Sequence, residues 1–212
     1  MGKSFIHTYL WVFIIVSVCF YSCSVRVGDT IKGFVSTGVD DEPEVIQPVA
    51  IDKPNEHVNS RDKLIKIYTS YVGVREKTGK NDGPEVELFL SSVGLSKGYA
   101  WCAAYVHYCM TQAGIKNRIT AWSPTAENKK NILYKNGEIL KPLQRGDVFT
   151  LYYVRLKRIG HTGFYDGMLN EDMIITVEGN TNIKGSNEGD GVYKYFRPLK
   201  SIHSISNHIN DN

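Results

Sequence analysis

Helical spacing of apolar residues early in the chain and two-residue alternation later predict an α+β fold, with helices leading into an antiparallel β-sheet. Two observations carry this. Apolar side chains recur at helical intervals over 61–71, 84–93 and 102–113, and four alternating segments bounded by turn residues follow from Asp147 onward. The chain has 212 residues, 42% of them hydrophobic, which suits one globular domain plus extra segments. A formal charge of +3 without a run of Lys and Arg among aromatics gives no case for nucleic acid. Arg155-Leu156-Lys157-Arg158 is short and reads as a solvated loop.

The N-terminus reads as a targeting segment. Lys3 precedes an apolar core, Tyr9 to Phe20, of signal-peptide length and too short for a membrane span. Phe20-Tyr21-Ser22-Cys23 resembles a loose lipobox, from which bulky Tyr21 departs. Residues 1–22 are therefore expected to be a lipoprotein-type signal and Cys23 the lipidated first mature residue; the alternative is an ordinary cut after Ser24. Both take the chain out of the cytoplasm, as an anchored envelope lipoprotein or as a secreted protein. Residues 23–60, acidic at Asp40-Asp41-Glu42-Pro43-Glu44 and interrupted by prolines, read as a tether. A folded domain is expected over 61–203, then a polar, frayed tail over 204–212.

Within that domain Leu64, Ile65, Ile67 and Tyr68 mark the first helix. A turn-rich loop, 72–83, precedes Pro84, which is suited to the first helical position with Glu85 and Glu87 beside it in the positive first turn. Gly94 ends this helix. Asn81-Asp82-Gly83 is either a turn and cap or one wall of a substrate groove. The third helix starts near Cys102 and stops at Gly114; Cys102, Val106, Cys109, Met110 and Ala113 share a face, and His107, Thr111 and Gln112 lie elsewhere. Ser123-Pro124 should open a short helix through Leu133. Strands are expected over 147–154, 160–167, 173–179 and 191–197.

A cysteine on an apolar helix face is ordinarily inert packing, and mid-helix Cys109 fits that description. The two thiols cannot bridge, because seven helical residues separate their Cα atoms by about 10 Å. Cys102 differs in sitting where unpaired backbone N–H groups favour thiolate. Of six histidines, His7 falls in the signal, His57 in the tether, His107 off the cysteine face, and His203 and His208 in the tail. His161 remains, between Gly160 and Gly163, which would leave room beside its ring. If 160–167 and 173–179 form a hairpin turning at Leu169-Asn170, His161 and Glu178 become mirror positions on one face. Asn180 shares that face if the strand continues. A carboxylate or amide beside an imidazole orients it to accept a proton from a thiol. The competing explanation is a surface His–Glu pair on an edge hairpin.

At this point the residues resemble the cysteine, histidine-dependent amidohydrolase/peptidase (CHAP) family, kin of NlpC-type cell-wall peptidases, over about Leu64 to Leu199. The resemblance rests on Glu76 through Pro84, Trp101-Cys102-Ala103-Ala104-Tyr105-Val106, Gly146-Asp147, Gly160-His161-Thr162-Gly163-Phe164-Tyr165 and Val177-Glu178-Gly179-Asn180. It implies a papain-like fold and hydrolysis of peptidoglycan amide bonds. Cys102 would be the nucleophile, His161 the general base, Glu178 its orienting partner and Asn180 the accompanying polar residue. Trp101, Asn81 and Asp82 would contact substrate. No cofactor or metal is expected, since Cys102, His161 and Glu178 supply at most three ligands. The expected partners are peptidoglycan and, through a lipid anchor, the membrane; nothing assigns an oligomeric state. Amidase and endopeptidase action both stay open, as do a non-catalytic wall-binding lipoprotein and an acyltransferase using the same thioester.

Overall fold

A computed structural model describes residues 59–183 and 189–209. The expected signal, Cys23 and all but the last two residues of the tether lie outside the described residues. Among the described residues, no helix is long and apolar enough to cross a membrane.

Three helices come first. In α1 (Ser60–Ser70) the Asn59 side chain accepts from the Arg61 N–H and caps the first turn. Helix α2 (Pro84–Ser91) starts on proline, after Gly83 at φ 115°. Helix α3 (Cys102–Gln112) stops before Gly114, whose φ of 82° is a left-handed turn. His107, Thr111 and Gln112 do face outward, but the remainder is buried nearly all round, including Ala103, Ala104, Tyr105 and Tyr108. Helices α1 and α2 cover one side of α3 and the sheet covers another. Aromatic rings fill the seam: Phe89 meets Tyr105 edge-on at 5.2 Å, and Tyr68 stacks on Phe164 at 4.6 Å.

The strands are β1 (Ile132–Lys135), β2 (Glu138–Ile139), β3 (Val148–Tyr153), β4 (Arg158–Met168), β5 (Met173–Thr181), β6 (Gly191–Pro198) and β7 (Ser204–Ser206). They form one antiparallel sheet in the order β2-β1-β7-β3-β4-β5-β6. The α+β class holds, with two corrections. The helix expected from Ser123 to Leu133 is only a turn, Ser123–Ala126, and Leu133 lies in β1. Asn136-Gly137, with φ of 55° and 89°, closes β1 onto β2 as a two-residue hairpin, so the local signal for a strand was present.

The frayed tail is the second correction. Its first residues are β7, buried in the sheet between β1 and β3. Serines can occupy an inner strand here because their hydroxyls are paired. Ser204 Oγ lies 2.7 Å from Thr150 Oγ1, and Ser206 Oγ accepts from the Asn128 N–H at 3.0 Å. Ile205 packs with Tyr134, Phe149 and Ile202 on the sheet face away from the helices. Because Ile205 is fully buried, Ile205→Ala should lower stability by about 2–5 kcal/mol in urea denaturation. A solvated tail would show almost none of that loss.

Candidate active site

Cys102 is the first residue of α3, and β4 and β5 carry His161 and Glu178 on the sheet face shared with Phe149, opposite the face that Phe164, Val177 and Gly179 turn to the helices. The hairpin register differs from the mirror arrangement. Phe164 pairs with Val177 and Tyr165 with Thr176, so continuing the ladder puts Gly163, not His161, abreast of Glu178. The turn is centred later, and Asp166 is an extra residue that bulges β4. The displacement is two residues, an even number, so both side chains keep the same face. Glu178 reaches His161 diagonally across bare Gly163. A Cβ there would lie 3.1 Å from Glu178 Cγ and 2.8 Å from both Val177 O and Phe149 Cε1. Gly160 is a second bulge residue, and the Tyr153 ring occupies the place its side chain would take. The two glycines thus make room for Glu178 and Tyr153.

His161 Nε2 and Glu178 Oε2 are 2.8 Å apart, and neither residue is exposed to solvent. Arg197 on β6 donates to both carboxylate oxygens at 2.6 Å, and Thr176 Oγ1 donates to Oε1. Burial pushes the Glu178 carboxyl up, but hydrogen bonds from His161 and Arg197, with their charges, hold it at about 2. Burial also favours neutral imidazole, yet Cys102 and Glu178 lift His161 to about 9. His161 Nδ1 is buried without a hydrogen-bond partner and is the nitrogen left for the thiol. Burial raises the Cys102 thiol; the His161 imidazole beside it, Ser123 Oγ and the Thr162 N–H more than reverse that. Its Sγ lies 3.5 Å from Ser123 Oγ. Cys109 has the Tyr105 hydroxyl but no imidazole beside it, and burial pushes it well up. The two thiols of one helix are therefore chemically distinct.

The other expected site residues divide. Asn180, at φ 54°, leaves the regular strand at an irregularity between Glu178 and Thr181. Turned with its oxygen toward the Trp101 N–H (3.1 Å) and its nitrogen toward Gly189 O (3.0 Å), it fastens the start of α3 rather than the imidazole. Trp101 is fully buried against Phe89 and Tyr105 and donates from Nε1 to Glu76 at 2.9 Å, so it offers no surface to a substrate. Asn81 lines a groove of about 550 Å³ with Glu76, Ala100, Asn180 and Asp190. Asp82 instead closes its own loop, accepting from the Thr78 N–H and hydroxyl at 2.9 and 2.8 Å. Among the described residues no three His, Cys, Asp or Glu side chains are grouped to hold a metal ion. Arg197, Thr176 and Ser123 were not anticipated. Arg197 pairs across from Ile174, four residues along β6 from Glu178's own neighbour Tyr193, and no spacing rule marks it.

Removing the guanidinium leaves a buried carboxylate short of one of the two cations that hold it ionised. Arg197→Met should cost about 3–5 kcal/mol at neutral pH, read by urea denaturation. The depressed Glu178 pKa stabilises the fold fully above its ordinary 4.5, and that contribution is lost as pH falls toward about 2. The gap between variant and parent should therefore narrow on acidification.

The family model of the CHAP domain matches residues 94–180, a stretch that includes Cys102, His161, Glu178 and Asn180. No curated protein matches the chain. The motifs along α3, β4 and β5 thus fall inside the stretch, Gly94 to Asn180, that is similar to the CHAP domain family.

Proposed function

We propose that this chain is a peptidoglycan hydrolase that cleaves an amide bond in or next to the stem peptide. CHAP domains are generally hydrolytic, acting as amidases or peptidases. The observation that carries the proposal is the buried row from Cys102 through His161 to Glu178, with thiol lowered, imidazole raised and carboxylate clamped by Arg197. These directions favour a thiolate beside an imidazolium at neutral pH. In this papain-like arrangement the Cys102 thiolate attacks the amide carbonyl carbon. The Cys102 backbone N–H, at the unpaired end of α3, donates to the developing oxyanion. The His161 imidazolium gives its proton to the departing amine nitrogen as the C–N bond breaks. Neutral His161 then takes a proton from water, whose oxygen attacks the thioester and releases acid and thiolate.

Glu178 never needs to change protonation in this scheme; it fixes the ring through Nε2 and leaves Nδ1 for sulfur. The groove lined by Asn81 and Asn180 lies beside the start of α3 and would seat the peptide. Cys102 is only 3% exposed, which suits a slender extended chain. Asn180 contributes by holding Trp101, the residue before the nucleophile. We place the enzyme in the cell envelope, anchored by lipid on Cys23 and reaching its polymer through the following tether. This placement rests on the sequence of the leader.

Purified Cys102→Ala should fold like the parent by circular dichroism and fail to clear a peptidoglycan suspension; clearing by that variant would refute the assignment. His161→Ala should lose about 10²–10⁴-fold in rate, the usual contribution of a positioned base. The pH profile has a defined sign. The imidazolium is present below its pKa of about 9, so kcat/KM should fall as pH rises through that value. On the acid side it should fall as the thiolate takes up a proton. A profile flat across pH 9 would contradict the ion-pair scheme.

A further inference from the structure

The connection between β3 and β4 presents apolar and cationic side chains together on an exposed tip. Its short helical turn, Val154–Leu156, is closed by the Lys157 N–H donating to Val154 O at 3.1 Å, with Lys157 at φ 51°. Val154 is 82% exposed, Tyr152 46% and Leu156 40%. Arg155 and Lys157 are exposed beside them, and Arg158 is half-buried. Among the described residues none of these three cations makes an ion pair. Isolated exposed apolar residues are ordinary; a contiguous set at a loop tip, ringed by unpaired cations, is not.

We propose that this tip docks on an anionic lipid surface, with Val154 and Leu156 inserted at the acyl boundary and Arg155, Lys157 and Arg158 against the phosphates. The two kinds of side chain select the partner together. A soluble polyanion satisfies the cations but leaves Val154 and Leu156 in water. A second copy of the chain, meeting the same tip about a two-fold axis, covers the apolar residues but brings like charges face to face. An anionic bilayer supplies phosphates outside and an apolar layer beneath, in the order the turn presents. The long stems of Arg155 and Lys157 can lie along the apolar boundary with their charged ends in the headgroups. This contact is separate from the lipid expected on Cys23, and it does not depend on catalytic turnover.

The test is hydrogen exchange read by mass spectrometry on the full chain, because it reports this loop locally. An apolar N-terminal stretch associates with neutral and anionic bilayers alike, so the comparison is between pure phosphatidylcholine vesicles and vesicles containing phosphatidylglycerol. Backbone exchange over 152–158 should slow on the anionic vesicles only. Arg155→Ser with Lys157→Ser removes two cations and should weaken loop partition about 30-fold, restoring the exchange rate seen on phosphatidylcholine. Val154→Ser with Leu156→Ser should restore it as well. Equal exchange on both vesicle types, or slowing that survives either double substitution, overturns the proposal. Equal slowing by soluble polyphosphate also overturns it, in favour of a polyanion in solution.

Discussion

Glu178 is a carboxylate with no solvent exposure, and its ionised state depends on Arg197 more than on any other group beside it except the imidazole it orients. Without that bidentate clamp, burial would drive the carboxyl toward its neutral form, which cannot hold a charged imidazole. The chain of dependence then runs outward. Ionised Glu178 fixes Nε2 of His161, the fixed ring leaves Nδ1 to the sulfur, and the imidazolium draws the Cys102 thiol down against its own burial. In the proposed chemistry, three buried groups share two charges of one sign and one of the other. The arginine behind them brings the set to balance.

Two absences of side chain make that row possible. Gly163 lets Glu178 cross β4 diagonally, and Gly160 lets Tyr153 fold over the strand just before the histidine. Asn180 and Glu76 act one step further back, holding Trp101 by its backbone N–H and its indole nitrogen. Trp101 in turn sets where α3 begins, and hence where the sulfur stands.

The helices and the four long strands were legible because each has enough residues for its period to show, and the start of α3 at Cys102 followed from the same pattern. The association of His161 with Glu178 was legible through parity, which survives a register displaced by two; the register itself was not, because a bulge at Asp166 leaves no periodic trace. Arg197 could not be found by spacing, since its reach depends on a long side chain running back across Thr176. Trp101 was misjudged because aromatic character serves a groove and a core equally well, and only burial separates them. Strand β7 was hidden by composition: serines read as solvated until Thr150 and the Asn128 N–H are found waiting for their hydroxyls.

That last strand has a consequence for assembly. Among the described residues the β1–β2 hairpin joins the sheet only through β7, and β7 also covers the open edge of β3. Until residue 206 is available, two unpaired strand edges stand side by side with nothing between them. Such edges recruit strands from other molecules when the chain lingers partly synthesised. A cell making this protein gains from keeping it extended, by chaperone, until that serine-rich segment arrives to close the gap.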